Sequence, residues 1–399
     1  MSNAWPHVAL TELLTQRRDA VKIKSGVEYR LLGVRWYGEG PFHRETVTRD
    51  TSKATTVYRV KPGQFIYNRL FAGKGSFGVV LPEFAGAFVS NEFPLFDTDA
   101  DRLSAEYLNL YFQQRSVWDH VEAVSTGTTA SRNRWKESQF LTHHVPLPPL
   151  AVQGRIVELI QACDDHTAAL DAEVEALTGV LKRRRADLIT DDSVEAVRAE
   201  QAFDFSTGVR RTPDRAAGPY MTPYLRSANV GYGTLDLSDV LEMNYNPAER
   251  KKFGLQYGDV VVSEGSASAS AVGLPAIWRD ELPGPVCTQM TLLRLRGLEG
   301  ICISEFVFHW CMWAYESRAF LDVAGGTNIK HISAKRAKGM AVRLPSLDRQ
   351  REIALELDAM DAALKAARAQ TARLRDVRVG MLAGLLDRTI DIESAESGG

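Results

Sequence analysis

Gly73-Lys74-Gly75-Ser76-Phe77-Gly78 has the G-x-G-x-x-G spacing with which a glycine-rich turn cradles a pyrophosphate at a helix N-terminus. The next four residues, Val79-Val80-Leu81-Pro82, read as strand and then proline where the fingerprint needs a helix, so the match predicts a loop between strands with Lys74 projecting. The P-loop pattern is absent, and so is the Asp/Asn/Ser-Pro-Pro-aromatic tetrapeptide that amino-methyltransferases share; Asn246-Pro247-Ala248 is no substitute. His143-His144 stand just before Pro146, while Cys302, His309 and Cys311 fall in an apolar aromatic stretch without a fourth ligand at zinc spacing. Cys163, Cys287, Cys302 and Cys311 form no C-x-x-C pair and read as buried thiols. No metal site is expected, and no nucleophile-base or paired-carboxylate spacing marks a seat of catalysis.

Charge carries more information. Residues 30–74 hold nine lysines and arginines (Arg30, Arg35, Arg44, Arg49, Lys53, Arg59, Lys61, Arg69, Lys74) against three acids, an excess of six positive charges. Residues 75–101 then carry five acids and no base. A polyanionic partner such as a phosphate backbone suits that segregation. Trp36, Tyr37 and Tyr67 are interleaved with the cations, and Gln64 and Asn68 have the amide chemistry that reads adenine edges. A milder basic patch recurs at Arg210, Arg211, Arg215 and Arg226. The run Lys182-Arg183-Arg184-Arg185 sits late in a helical pattern, where cations complement the dipole, and is not counted as a binding site. The whole chain, with 48 Lys+Arg against 50 Asp+Glu, has a net charge of −2, so nucleic-acid binding has to come from local patches. No apolar run is long enough for a membrane span and no signal peptide is apparent, which predicts a cytoplasmic protein.

The elements that must position these residues occur twice. Leu147-Pro148-Pro149-Leu150 with Gln153 and Ile156 recurs as Leu344-Pro345-Ser346-Leu347 with Gln350 and Ile353, an offset of 197 residues. Glu106-Tyr107, Val124 and Gly127-Thr128 recur as Glu305-Phe306, Val323 and Gly326-Thr327 at offset 199, and Tyr29 and Gly63 match Tyr224 and Gly258 at offset 195. An ordered series at nearly constant offset means a duplicated unit of nearly 200 residues. Each copy opens with strands: Val57–Val60 and Gln64–Tyr67 around the Lys61-Pro62-Gly63 turn in the first, and Val260–Val262 after Gly258-Asp259 in the second. A helix comes next, near 104–122 and near 304–320, and then a long one. In the long helices apolar residues alternate at four-three spacing through Ile156, Ile160, Leu170, Val174 and Leu177, with Arg184 the one skipped step, and through Ile353, Leu357, Leu364 and Leu374. Weak positions in one copy are filled in the other, which predicts that the two helices pack on each other.

The duplicated order of module, Gly-Thr pair, Leu-Pro-x-Leu with its glutamine and long helix resembles the specificity subunit of type I restriction-modification enzymes. Tyr224–Val230 and Gly258–Gly265 look like the two strand motifs of that family's target-recognition domains, and Tyr29–Val34 and Gly63–Arg69 hold the matching positions. The resemblance implies an α+β chain with an internal pseudo-two-fold repeat. Its parts are recognition domains at 1–145 and 193–343, spacer helices at 146–192 and 344–390 pairing as an antiparallel coiled coil, and a tail at 391–399. It further implies a non-catalytic chain that reads a bipartite double-stranded DNA target. Two methylation subunits would carry S-adenosylmethionine, and motor-nuclease restriction subunits would use ATP. The DNA candidates it suggests are Arg35, Tyr67, Asn68, Arg69 and Lys74 in the first module and Arg226, Asn229, Ser263 and Ser266 in the second. The alternative is a structural adaptor that bridges protein partners through its helices.

Overall fold

The computed structural model describes residues 4–127, 133–266, 268, 270–326 and 330–392. Residues 1–170 with 370–399 form one compact unit and residues 171–369 another. Each unit contains one globular module and takes a segment of both long helices, Leu150–Ile189 and Leu347–Leu386.

In the first unit, His7–Ala9 pairs antiparallel with His144–Pro146 and ties the two ends of the module together. A four-stranded antiparallel sheet runs in the order Leu14–Arg17, Leu95–Thr98, Phe65–Tyr67, Phe77–Val79. Phe65, Tyr67, Phe77 and Phe96 pack with Phe112, Trp135 and Phe140 in one aromatic core, all buried. A five-stranded sheet runs Ala20–Lys22, Thr56–Arg59, Phe88–Val89, Tyr29–Val34, Pro41–Val47, with one parallel pairing, between Phe88–Val89 and Tyr29–Val34. The Lys61-Pro62-Gly63 turn does not close a hairpin between its flanking strands; it hands the chain from the five-stranded to the four-stranded sheet. Gly63 has φ 84° there, a left-handed conformation that glycine adopts without steric cost, and donates its N–H to Val80 O at 2.8 Å. The helix expected near 104–122 is two, Ala105–Tyr111 and Arg115–Val124. The chain turns at Phe112, which is buried and whose carbonyl accepts the Trp118 indole N–H at 2.6 Å, so core packing interrupts a stretch that contains no proline or glycine.

The second unit repeats this plan. Ala196–Arg198 pairs with Ala341–Arg343, and the four-stranded sheet runs Phe203–Thr207, Leu292–Gly297, Val260–Ser263, Pro275–Ile277, the same first-last-second-third order. A three-stranded sheet, Leu241–Asn244, Met221–Leu225, Cys287–Thr288, again includes one parallel pairing. The helix Ser304–Glu316 is buried on nearly every side, which accounts for its run of apolar residues. Cys287, Cys302 and Cys311 are buried free thiols, and Cys163 is half-buried. His309 is fully buried with Nε2 3.1 Å from Asp358 Oδ1, a bond that holds the Asp358 carboxyl below its ordinary range.

The glutamines of the duplicated Leu-Pro-x-Leu segments explain how each module is joined to its helix. Gln153 is wholly buried; its Oε1 accepts from Ser104 N at 2.9 Å and its Nε2 donates to Arg102 O and Pro148 O at 2.8 and 2.9 Å. Gln350 repeats the arrangement with Ile303 N at 3.0 Å and with Ile301 O and Pro345 O at 2.9 Å each. One amide thus pins the start of a long helix to the start of a module helix, satisfying backbone groups that no secondary structure would pair.

Within each unit the two long helices run antiparallel. In the first, Arg378 pairs with Asp164 and Arg155 with Ile392 O; in the second, Arg184 pairs with Glu356 and Arg368 reaches Thr178. Ile156 and Ile160 share a buried cluster with Leu382 and Leu385, and Leu181 shares one with Ile353, Leu357 and Leu364, with Val174 and Leu177 packed against it. Leu170 is buried and Leu374 half-buried. The skipped step at Arg184 has a geometric cause: a straight helix of 3.6 residues per turn drifts about 20° per heptad from a 3.5-residue seam. The inward position has therefore passed to Arg185, whose side chain is 0% exposed against 43% for Arg184. Arg185 pairs with Glu316 and with Asp361, the latter at 3.1 Å, and the Tyr232 hydroxyl donates to Glu316.

Candidate nucleic-acid interface

Several polar residues that the sequence offered as base readers face the interior. Tyr67 is wholly buried and its hydroxyl donates to Trp135 O at 3.1 Å; burial pushes its phenol well above the ordinary range. Asn68 is buried and accepts from Leu70 N at 3.0 Å, closing the turn that leaves the strand. Gln64 accepts from Lys61 N and donates to Asp97, both at 2.9 Å. In the second module Asn229 is buried, accepting from Arg226 N at 3.0 Å and donating to Asp236 O and Asp239 O. Ser263 is buried in its strand ladder. These five are turned inward with little surface, and this corrects their reading as direct base contacts; their place is in shaping the loops. The backbone of Ser266 pairs with Lys330, while its side chain lies outside the described residues.

The repeats differ informatively at the turn before the central strand. Asp259, fully buried, accepts from Gln256 N at 2.8 Å and takes a bidentate pair from Arg296 at 2.6 and 2.7 Å. In the first module Gln64 stands at this turn and the carboxylate, Asp97, sits on the neighbouring strand, paired with Arg17 at 2.6 Å. The turn is the same and its charges have changed places.

The cations divide by exposure. Arg69 is largely buried between Glu137, at 3.2 Å, and Glu92, with Arg18 and Arg134 on the same two acids. Arg215 forms a bidentate pair with Glu249, and Arg226 pairs with Asp239. The pairs of Arg69 and Arg215 are internal braces, while Asp239, the partner of Arg226, is open to solvent. Lys74 is half-exposed and 3.2 Å from Glu122. The glycines around it serve close packing, since a side chain at Gly73 would meet Glu122 and one at Gly75 would meet Trp118.

Arg35 is exposed and has its guanidinium 4.9 Å from the Phe42 ring centroid, with no carboxylate partner among the described residues. A Cβ at Gly33 would strike the Phe42 ring and approach the Arg44 stem, so glycine at that point lets Phe42 and Arg44 close over the strand beside Arg35. His43, Arg44, Glu45 and Thr46 are exposed on Pro41–Val47, the edge strand of its sheet. The Arg44–Glu45 and Arg59–Asp19 pairs are solvent-exposed, worth about 0–1 kcal/mol each, and can be exchanged for phosphate at little cost. The turn just after Arg35 docks on the glycine-rich loop: Tyr37 N donates to Lys74 O and Gly38 N to Gly75 O, both at 2.8 Å. Arg35 and Lys74, 39 positions apart in sequence, therefore sit on neighbouring turns. In the second module Arg210 and Arg211 are exposed, and Glu264 is half-buried, its carboxyl raised by burial.

Sequence reasoning passed over the residues that close the duplicated Gly-Thr segments. Thr126 and Arg134 exchange reciprocal backbone hydrogen bonds, as do Gly325 and His331, with Lys330 next to the latter. The repeat of Gly127-Thr128 as Gly326-Thr327 was the signal available for them; Thr128 and Thr327 themselves lie outside the described residues. Those described include no cluster of histidine, cysteine and carboxylate groups disposed for a metal, and no helix long and apolar enough to cross a membrane.

A module used twice, each copy pinned through a buried glutamine to a long helix, with an open arginine strip on the first, defines a protein built from a duplicated α+β module. The chain is similar to the specificity subunits of type I restriction-modification systems. Residues 204–373 match the type I restriction modification DNA specificity domain. Over 273 residues the chain is 22% identical to the EcoKI specificity subunit of Escherichia coli K12, covering 63% of this chain and 58%, less than two thirds, of that protein. Its fold is similar to a chain in a structure of the type I system described for its complex assembly and conformational transition, at 15% identity and TM-score 0.70, covering 96% and 97% of the two chains. The specificity subunit of Thermoanaerobacter tengcongensis gives 16% identity and TM-score 0.55 over 96% and 97%, and that of M. genitalium 13% and 0.52 over 96% of each.

Proposed function

We infer that the chain reads a bipartite DNA sequence, one half-site per module, and directs partner subunits to it. The observation that carries this reading is the duplication itself: two modules whose four-stranded sheets share one strand order, each with its own glutamine clamp, in a chain whose second copy matches a DNA specificity domain. A protein with two similar recognition units suits a target of two half-sites. On this reading the long helices act as spacer and as docking element for two methylation subunits. The chain itself is non-catalytic and works in the cytoplasm. Methyl transfer from S-adenosylmethionine, and ATP-driven translocation and cleavage, belong to methylation and restriction subunits. In the first module the exposed strip around Arg35 and Arg44 takes the phosphates, with base readout from side chains displayed on the adjoining turns.

The test is an exchange of residues 1–145 for the first module of another specificity subunit, with mapping of methylated adenines in cells that also carry the methylation subunit. One half of the methylated sequence should change, with the other half and the spacing kept. A change in both halves, or in neither, overturns the reading.

A further inference from the structure

The turn after Arg35 displays aromatic surface that the first module does not use. Trp36 is 45% exposed, Tyr37 58% and Phe71, on the adjoining turn, 39%. They form one patch, with the Trp36 ring 5.2 Å from Phe71 and 6.3 Å from Tyr37, and with Tyr37 backed by the buried Trp118 at 6.1 Å. Tyr37 has φ 59°, a left-handed conformation uncommon for a bulky residue, and the two backbone bonds to Lys74 and Gly75 hold it there. The turn is thus rigid before any partner arrives.

The repeat shows that this display is no requirement of the fold. At offset 195, Trp36-Tyr37-Gly38 corresponds to Gly231-Tyr232-Gly233. Gly38 and Gly233 share a positive φ, 76° and 69°, and both donate to the central sheet's end, to Gly75 O and Pro275 O. In the second module the tyrosine turns inward and its hydroxyl binds Glu316, while glycine replaces the tryptophan. The first copy keeps the same turn and exposes both rings.

We propose that Trp36 and Tyr37 are a wedge that stacks on nucleobases of duplex DNA and opens a base step in the half-site read by the first module, an inference that rests on the DNA-binding role proposed above. Charge complementarity selects nucleic acid as the occupant: Arg35 flanks the rings with its guanidinium uncommitted to any carboxylate among the described residues, Arg44 lies on the edge strand beyond, and Lys74 carries the neighbouring turn. Glu39, the acid of this turn, lines a separate cavity with Glu106 and Asp164. Apolar side chains inserted at a base step partly unstack it, and flanking cations on the phosphates hold the opened duplex. The first half-site is therefore read partly through the ease with which its sequence unstacks, and the second is not.

The experiment uses the full complex with methylation subunits and duplexes of the mapped target in which 2-aminopurine replaces one adenine at a time. Fluorescence should rise at a position in the first half-site on binding, the rise should disappear with Trp36→Ala combined with Tyr37→Ala, and it should persist with Trp36→Phe. Affinity for the target should fall about tenfold in the double variant, with the salt dependence of binding and the signals in the second half-site unchanged. A rise that survives the double variant overturns the wedge and leaves the DNA-binding role standing. Loss of co-purification with the methylation subunits, DNA binding of the remaining chain being intact, overturns it in favour of a protein interface. Absence of target binding by the unaltered complex removes the DNA-binding role itself.

Discussion

Arg185 shows how much a single buried charge can decide. Its side chain has no exposure and its partners Glu316 and Asp361 are 7% and 21% exposed, so removing the guanidinium strands two carboxylates in a low-dielectric interior. Arg185→Ala should destabilise the second unit by about 3–5 kcal/mol in urea unfolding, whereas Arg184→Ala, one residue away and open to solvent, should cost under about 1 kcal/mol. His143 behaves in the opposite sense. Burial pushes its imidazole down to about 4, the charges of His120 and His144 adding to the effect, and the neutral ring is 2.8 Å from the Tyr111 hydroxyl. A folded pKa below the unfolded value near 6.5 means that the unfolded chain binds the extra proton first. Stability of the first unit should therefore decline as pH falls from about 6.5 to 4, by about 1–2 kcal/mol for this partly exposed group, and His143→Gln should flatten that part of the pH profile of Tm.

The module–helix junction is where the duplicated motif acts at the scale of elements. Gln153 and Gln350 each make three hydrogen bonds to backbone groups of two segments, and both are fully buried. Substitution by alanine leaves one buried N–H and two buried carbonyls unpaired, with an expected cost of about 2–3 kcal/mol. Glutamate is isosteric but replaces the donor with charge facing two carbonyl oxygens, so Gln153→Glu should be worse than Gln153→Ala. Hydrogen exchange at Ser104 and along the first turn of Leu150–Ile189 checks both, because fraying there should precede any change in the sheets. The arginines at the helix pair obey a related logic. Asp164 and Asp361 are separated by the repeat offset of 197, yet their partners Arg378 and Arg185 come from different turns of the repeat, so the acid was kept and the base found a new position.

At the scale of the whole chain, a net charge of −2 combines the open arginine strip with acidic surface and with helices whose charges are partly consumed by one another. Binding to the mapped target in the full complex should weaken linearly in log salt, and Arg35→Ala with Arg44→Ala should reduce the slope by about 1–2 while leaving the methylated sequence unchanged. An unaltered slope would place the phosphate contacts of the first module elsewhere.

Much of the architecture was legible in the sequence because it rests on local and periodic information. The offset of nearly 200 residues announced the duplication, four-three spacing announced the long helices, and proline marked where each begins. The Leu-Pro-x-Leu-x-x-Gln segment was visible as a motif without its meaning, since two of the three partners of Gln153 lie 49 and 51 residues upstream and two of the three partners of Gln350 lie 47 and 49 residues upstream. The surface was hardest to read. Tyr67, Asn68, Gln64 and Asn229 have the chemistry of base readers, and only the tertiary structure shows that they are buried and hydrogen-bonded within their own module. Tyr37 and Tyr232 occupy equivalent turns, and which ring is displayed depends on whether Glu316 and Arg185 stand opposite. Composition and period determine which elements form; which polar side chains remain free for a partner is settled by long-range packing, because a group is available only when nothing distant in the sequence has claimed it.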